Sequence, residues 1–349
     1  MSYIQTEYLP VENAVDKKEK LARAASLVQS GEVVAFPTET VYGLGADACS
    51  DDAVKKIFEA KERPADNPLI VHIASPEDVY KYTSQVPKMA EKLMNTFWPG
   101  PLTIILPHNG RLSTLVTAGL DTVGLRMPDH PTALRLLRAA GTGVAAPSAN
   151  RSGRPSPTTA QHVAEDLDGR IAAIVDDGAT GVGVESTVVD CSGAVPIILR
   201  PGGVTKEQIE ACCGAVHVDP ALHVDNAAPK SPGMKYTHYA PEAPLTLVDG
   251  SESFFQECIS SSQRDGFRVG VIIPKSRAGS VEADEAFVLS SDSIVHAARE
   301  LYGALRAFRR EDVDIILMRV LPSEELGFAV MNRLMKAAGG RVWTERKSE

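Results

Sequence analysis

Cysteine is scarce in this 349-residue sequence: Cys49, Cys191, Cys212, Cys213 and Cys258 are scattered, odd in number and form no CxxC pair. A disulfide framework and a zinc knuckle are therefore not indicated, and the five read as core fillers in a reducing compartment. Long apolar runs are missing too. The longest, such as Leu102 to Leu106, fall far short of the roughly 18 residues a membrane span needs. The opening MSYIQTEYLPVENAVDKK carries acids and no apolar signal-peptide core, so a soluble, cytoplasmic protein with no membrane partner is expected. Positive charge is in deficit, with 36 Lys and Arg against 45 Asp and Glu and a net charge of −9. No general field draws such a chain onto nucleic acid, so any anion site must be built locally. Nucleotide signatures are equally absent. There is no GxxxxGK[ST], the glycines Gly43, Gly45, Gly181 and Gly183 make no GxGxxG, and neither HExxH nor GxSxG occurs.

What remains is an ordinary globular composition, 44% hydrophobic and 23% charged, at a length that suggests two domains when each takes roughly 150 residues. Between residues 20 and 210, short β-branched runs alternate with helical patterns, which predicts an α/β domain with a parallel or mixed sheet. The strand candidates are Val33 to Phe36, Leu69 to Ile73, Leu102 to Leu106, Thr122 to Met127, Val144 to Ala146, Ile171 to Val175, Thr187 to Asp190 and Ile197 to Leu199. A helix capped by Ser50 or Asp51 carries Val54, Ile57 and Phe58 on one face and cannot pass Pro64. Another starts at Pro131 and stops before Gly141. From His217 to Pro244 five prolines break the rhythm, as in a linker or functional lid. A smaller α/β pattern then follows. Its strands are Leu245 to Val248, Arg268 to Ile273 and Val313 to Met318, and its helices run through Phe254 and Phe255, from Ile294 to Phe308 and from Glu324 to Ala338. The expected boundaries are 15–208, 209–244 and 245–345.

Five arginines and no lysine lie between Arg126 and Arg154, a local concentration suited to anions. Arg135 and Arg138 face outward from an amphipathic helix, where a solvated cation is the ordinary reading. Arg126 ends an apolar strand before Pro128, where its guanidinium can fork onto a substrate carboxylate or form a structural ion pair. Lys61 and Arg63 close a helix ahead of Asn67 and His72, as an anion clamp or as a solvated cap meeting the helix dipole. His72 by itself reads more readily as structural than as a base. The run APSANRSGRPSPTT (Ala146 to Thr159) leaves a strand into hydroxyls, amide and glycine. That is the make-up of an anion-binding loop or of a plain surface loop. Ser186 and Thr187 entering a strand, and Arg200 leaving one, place further donors at strand ends, where open α/β sheets gather ligands.

Taken in order, PTETVYGL (37–44), KER with NPL (61–69), WPGPLT (98–103), LRMP (125–128), APSAN (146–150), ESTVVD (185–190) and RPGG (200–203) closely resemble the YrdC-type domain. PGMKYTHYAP (232–241) and a tail ending in FAVMNRLMKAA are similar to the long, two-domain threonylcarbamoyl-AMP synthases of that family. The resemblance implies a twisted open mixed sheet with helices, followed by a smaller Rossmann-like α/β domain. It also implies a nucleotidyltransferase reaction, in which L-threonine, bicarbonate and ATP give threonylcarbamoyl-adenylate and pyrophosphate. The product would pass to a partner transferase that modifies tRNA, with little or no tRNA binding by this chain. Carried over motif by motif, Thr40, His72, Arg126, Ser148 and Ser186 surround threonine, with Arg126 on its carboxylate. Lys61, Arg63, Asn67, Thr122, Asn150, Thr158, Arg200 and Tyr239 hold ATP, with Lys61 and Arg63 as the catalytic cations. Mg²⁺ would ride on the phosphates rather than on a protein cage, and the 232–241 segment would close as a lid.

Two rivals bring different chemistry. A double-stranded-RNA-binding module of YrdC type would use the arginine cluster, against the net −9, and would show a steep salt dependence. A carbamoyl-adenylate-handling carbamoyltransferase of the hydrogenase-maturation kind would bring zinc-finger segments, and no CxxC is present.

Overall fold

The computed structural model describes residues 4–11, 13–223 and 238–346. The chain divides into two compact units. One runs to Ser152 and from Ser156 to Tyr236; the other comprises Gly153–Pro155 and the chain from Thr237.

The first unit is built on a mixed sheet. Its strands are β1 (Glu7–Pro10), β2 (Val34–Phe36), β3 (Gly43–Asp47), β4 (Ile70–His72), β5 (Leu102–Pro107), β6 (Thr122–Arg126), β7 (Val144–Ala145), β8 (Ala173–Asp176), β9 (Thr187–Asp190), β10 (Ile197–Arg200) and β11 (His217–Val218). They lie in the order β1-β8-β2-β3-β7-β4-β6-β5-β9-β10-β11. Alternation sorts their side chains between two cores. Ala35, Ala145 and Ile174 join Val54, Ile57 and Phe58 of α1 (Asp51–Lys61) and Leu93 and Met94 of α2 (Lys88–Phe97). Their neighbours Val34, Phe36, Val144, Ala173 and Val175 face the other way, against Leu21, Ala25 and Val28 of the helix Ala14–Gln29 and Leu136 and Leu137 of the helix Pro131–Ala140. Helices thus cover both sheet faces.

Helix α1 starts as its sequence predicts, with the Ser50 side chain accepting from Ala53 N. It ends at Glu62, in the left-handed region at φ 54°, so Arg63 leaves in a new direction while Lys61 stays on the helix and points inward. The stretch from 209 continues the first unit. A capping box of Thr205 and Gln208 starts the helix Lys206–Cys213, Ile209 and Val216 enter the core, and β11 pairs in parallel with β10. Residues 232–237 of the expected lid lie outside the described residues.

The second unit is an all-parallel sheet of β12 (Leu245–Asp249), β13 (Val269–Ile273), β14 (Glu285–Val288), β15 (Ile315–Arg319) and β16 (Val342–Thr344), in the order β14-β13-β15-β12-β16. The alternation of strand and helix is Rossmann-like. In chain order, however, the strands run 3-2-4-1-5, so the fourth is inserted between the first and second, unlike the 3-2-1-4-5 sequence of a dinucleotide fold. The expected strands and helices of this half are all present within a few residues, and β14 and β16 add its two edges. Of the five expected core fillers only Cys191 and Cys258 are buried; Cys49 is exposed and Cys212 and Cys213 are partly buried, and burial pushes the Cys191 thiol up to about 12.

Candidate active site

The motifs read from the sequence are tied together by backbone. Leu44 N donates to Pro147 O and Ala149 N to Tyr42 O, both at 2.8 Å, which joins PTETVYGL to APSAN. Val182 N donates to Glu39 O at 2.7 Å and Gly183 N to Thr40 O at 3.2 Å, which joins the same motif to the approach of ESTVVD. Thr187 N to Pro101 O and Gly100 N to Met127 O, each 2.9 Å, connect ESTVVD, WPGPLT and LRMP. RPGG closes on ESTVVD through Gly203 N to Glu185 O at 3.3 Å. A Cβ on Gly202 would stand 2.3 Å from both Glu185 O and Thr187 N, so only glycine allows this approach.

Within this frame the candidate side chains fall into three groups. In the first, Arg126 and His72 are register partners at the ends of β6 and β4. Arg126 is 4% exposed; its Nη2 donates to Thr40 Oγ1 at 2.9 Å and lies 2.7 Å from Glu39 Oε1. Thr40 Oγ1 in turn contacts Thr38 Oγ1 at 2.9 Å. In the second, Arg200 donates through Nε and Nη2 to Ser186 O, at 3.1 and 2.9 Å, and through Nη2 to Ser186 Oγ, while Ser186 Oγ also meets Thr103 Oγ1 at 2.8 Å. In the third, Lys61 Nζ donates to Ser148 O at 2.5 Å and Asn150 O at 2.6 Å, and Ser148 Oγ donates to Asn150 Oδ1.

Strand alternation explains why the first two groups share a surface. His72 with Ile70, Arg126 with Gly124 and Thr122, and Thr103 with Ile105 project from the sheet face opposite α1 and α2. The sequence pointed to strand ends; alternation spreads the donors across a face as well. Thr122 is on that face but at the other end of β6, about 13 Å from Arg126 at strand spacing. Arg63 donates to Asn67 O at 3.2 Å and stacks 5.9 Å from the Phe58 ring. Thr158 Oγ1 lies 3.4 Å from His162 Nδ1. Tyr239 belongs to the second unit, where its ring stacks on Tyr302 at 5.4 Å and the Arg333 guanidinium lies 5.6 Å above it.

The remaining arginines do not join one anion site. Arg151 pairs with Glu62 at 2.6 Å, and Arg154, which belongs to the second unit, pairs with Glu242 at 2.9 Å. The sequence reading passed over Glu39. It sits between two threonines of a recognised motif, and nothing in its spacing marks it as the partner of an arginine 87 positions away.

Burial, then the neighbouring Arg63, pushes the Lys61 ammonium well below its ordinary range, against a smaller opposing pull from Asp166. A polyphosphate here would reverse that bias. His72 is pushed down to about 3, by burial first and by Arg126 second. It is therefore a neutral ring, and its Nδ1 is buried with no hydrogen-bond partner among the described residues. Because its folded value lies below the unfolded one of about 6.5, its contribution to stability is complete above pH 6.5 and is lost as the pH falls toward 3. At about 1.4 kcal/mol per pH unit, that loss reaches about 3 kcal/mol by pH 4. Urea unfolding at pH 7 and pH 4 should show this loss in the native protein and not in His72→Gln; equal losses would contradict it.

A mixed-sheet domain with a buried arginine and hydroxyl face and a helix-end lysine reaching the carbonyls of the Ser148–Asn150 loop, followed by a smaller parallel α/β domain, defines the two-domain YrdC class. The Sua5–YciO–YrdC family model, whose description is telomere recombination, matches residues 26–202, and that of the threonylcarbamoyl-AMP synthase C-terminal domain matches residues 204–339. The chain belongs to the threonylcarbamoyl-AMP synthase family. It is 57% identical to the Bacillus subtilis threonylcarbamoyl-AMP synthase over 327 residues, 93% of this chain and 94% of that one. It is 49% identical to the Pyrococcus abyssi enzyme, over 93% of this chain and 95% of that one. The crystal structure of P. abyssi Sua5 complexed with L-threonine superposes with a TM-score of 0.91 at 46% identity, covering 98% of this chain and 99% of that one.

Proposed function

We propose that this chain is an L-threonylcarbamoyladenylate synthase, a nucleotidyltransferase that turns L-threonine, bicarbonate and ATP into threonylcarbamoyl-AMP and pyrophosphate. The geometric observation that carries the reading is the buried Arg126, against which a carboxylate, that of Glu39, already rests at 2.7 Å. A guanidinium in that setting is suited to the carboxylate of an amino acid. Thr40, Ser148, Ser186 and the neutral His72 supply the surrounding hydroxyls and ring nitrogen for the rest of threonine. Lys61, Arg63, Asn67, Asn150, Thr158, Arg200 and, further along β6, Thr122 take the nucleotide.

The threonine amine adds to bicarbonate-derived CO₂, and a carbamate oxygen then attacks the α-phosphorus as pyrophosphate leaves. ATP, bicarbonate and the threonine carboxylate all bring negative charge to the site. The residues act by gathering mutually repelling groups and stabilising developing charge, without a covalent nucleophile. Mg²⁺ would arrive on the ATP phosphates. No helix among the described residues is long and apolar enough to cross a membrane. A partner transferase would carry the threonylcarbamoyl group to tRNA.

The test is to incubate the protein with ATP, bicarbonate and labelled threonine and to look for pyrophosphate and the adenylate by mass spectrometry. ATP hydrolysis that ignores threonine would overturn the reading. Selectivity follows from the same hydroxyl-rich site. A pocket that hydrogen-bonds the substrate hydroxyl rejects valine strongly, whereas one missing methyl separates serine by only about ten- to two-hundredfold. Pyrophosphate release should therefore rank threonine, serine, valine, and equal rates would refute the assignment.

A further inference from the structure

The second unit contains a cavity of about 170 Å³ that none of the candidate site residues lines. Its walls come from Ile272 and Ile273 at the end of β13, Leu289 just beyond β14, and Met318 and Arg319 at the end of β15. This is the carboxyl edge of a parallel sheet. The site on that edge is also specific: β13 leads to β14 on one side, while β15, its neighbour on the other, leads away across β12 to β16. Adjacent strands whose connections depart in opposite directions form a topological switch point, where open α/β sheets bind their ligands.

The polar groups in the cavity narrow the ligand class. Arg277 and Arg319 both pair with Glu252. Arg319 Nη2 also donates to Gly250 O at 2.7 Å, and Asp292 Oδ1 accepts from Ser276 N at 2.8 Å. Each arginine Nε is buried with no hydrogen-bond partner among the described residues. Two helices begin at the cavity, Glu252–Arg264 and Ile294–Ala307, capped by Ser251 and Ser293. Their N-termini add positive potential. The walls are otherwise apolar, and the space slightly exceeds the roughly 150 Å³ that holds one benzene molecule.

Two cations balanced by two carboxylates match a zwitterion better than a bare anion or a bare amine, either of which would leave one sign uncompensated. We propose that this cavity is a second small-molecule site, one that takes a free α-amino acid with an apolar side chain of about leucine size. The ligand carboxylate would meet the guanidinium groups of Arg277 and Arg319 where they line the cavity, its ammonium the Glu252 and Asp292 carboxylates, and its side chain the aliphatic wall.

The test uses the full-length protein with saturating threonine present, so that binding at the catalytic face is blocked. Isothermal titration compares leucine with 4-methylpentanoate, which lacks the amine, and with 3-methylbutylamine, which lacks the carboxylate. The expected result is one leucine per chain, with both analogues at least about tenfold weaker. Ala297→Leu, which fills the cavity, should abolish leucine binding, and Arg319→Gln should weaken it about tenfold or more. Both variants should keep threonine-dependent pyrophosphate release and the urea-unfolding transition of the native second unit, the latter showing that this unit is folded. Three results would overturn the proposal: no leucine binding, an analogue that binds as tightly as leucine, or leucine binding that survives in Ala297→Leu.

Discussion

Arg126→Ala should lower kcat/KM for threonine by about a thousandfold while leaving nucleotide affinity intact. Two charge-assisted hydrogen bonds to a buried carboxylate contribute roughly 4 kcal/mol between them, and each 1.4 kcal/mol is a factor of ten. The single variant also leaves Glu39 buried without its cation, and breaking a buried pair typically costs about 3–5 kcal/mol of stability, so loss of activity alone would be ambiguous. Adding Glu39→Gln separates the two effects. The double variant should regain stability in urea unfolding and remain inactive. If activity returned along with stability, Arg126 would be a structural partner of Glu39 and nothing more.

Lys61→Met should reduce pyrophosphate release by about a hundred- to a thousandfold, the range seen when one aimed donor is removed from a charge-stabilising site. The buried ammonium gives this prediction a signature of its own. Because burial and Arg63 hold Lys61 well below its ordinary value in the free protein, the arrival of phosphates should raise that value and draw in a proton. Nucleotide affinity should then fall as the pH rises through the value in the complex. Calorimetric titration of ATP in two buffers of different ionisation enthalpy measures the uptake. It should be present in the native protein and absent in Lys61→Met, and equal uptake in both would remove Lys61 from the phosphates.

The strands that carry their own β-branched signal, among them β4, β5, β6, β9 and β10, were legible in the sequence to within a residue or two. β3 was not, because Gly43–Asp47 has no β-branched residue and two glycines. A Cβ on Gly45 would come within 2.7 Å of both Phe36 and Val144, so packing against neighbouring strands overrode local propensity there. The individual hydroxyls and cations of the site were legible because they sit in ordered motifs. Their grouping was not, because Ser186 beside Arg200 or Lys61 beneath Asn150 depends on pairing between distant segments. The leucine-sized cavity was likewise hidden, since Arg277, Arg319 and Glu252 resemble any exposed charges until strand order brings them together.

The backbone bonds that join one motif to the next also govern when the site can exist. Residues 39 and 40 are fastened to 182 and 183, and β1 lies against β8, some 165 residues later. Contacts of such sequence separation form late and slowly. A chain emerging from the ribosome would therefore lack the complete site until the segment through residue 203, which brings Arg200 onto Ser186, is in place. Copies cut short before residue 200 would thus carry the threonine-side arginine but not Arg200, a dependence that comes from connectivity alone.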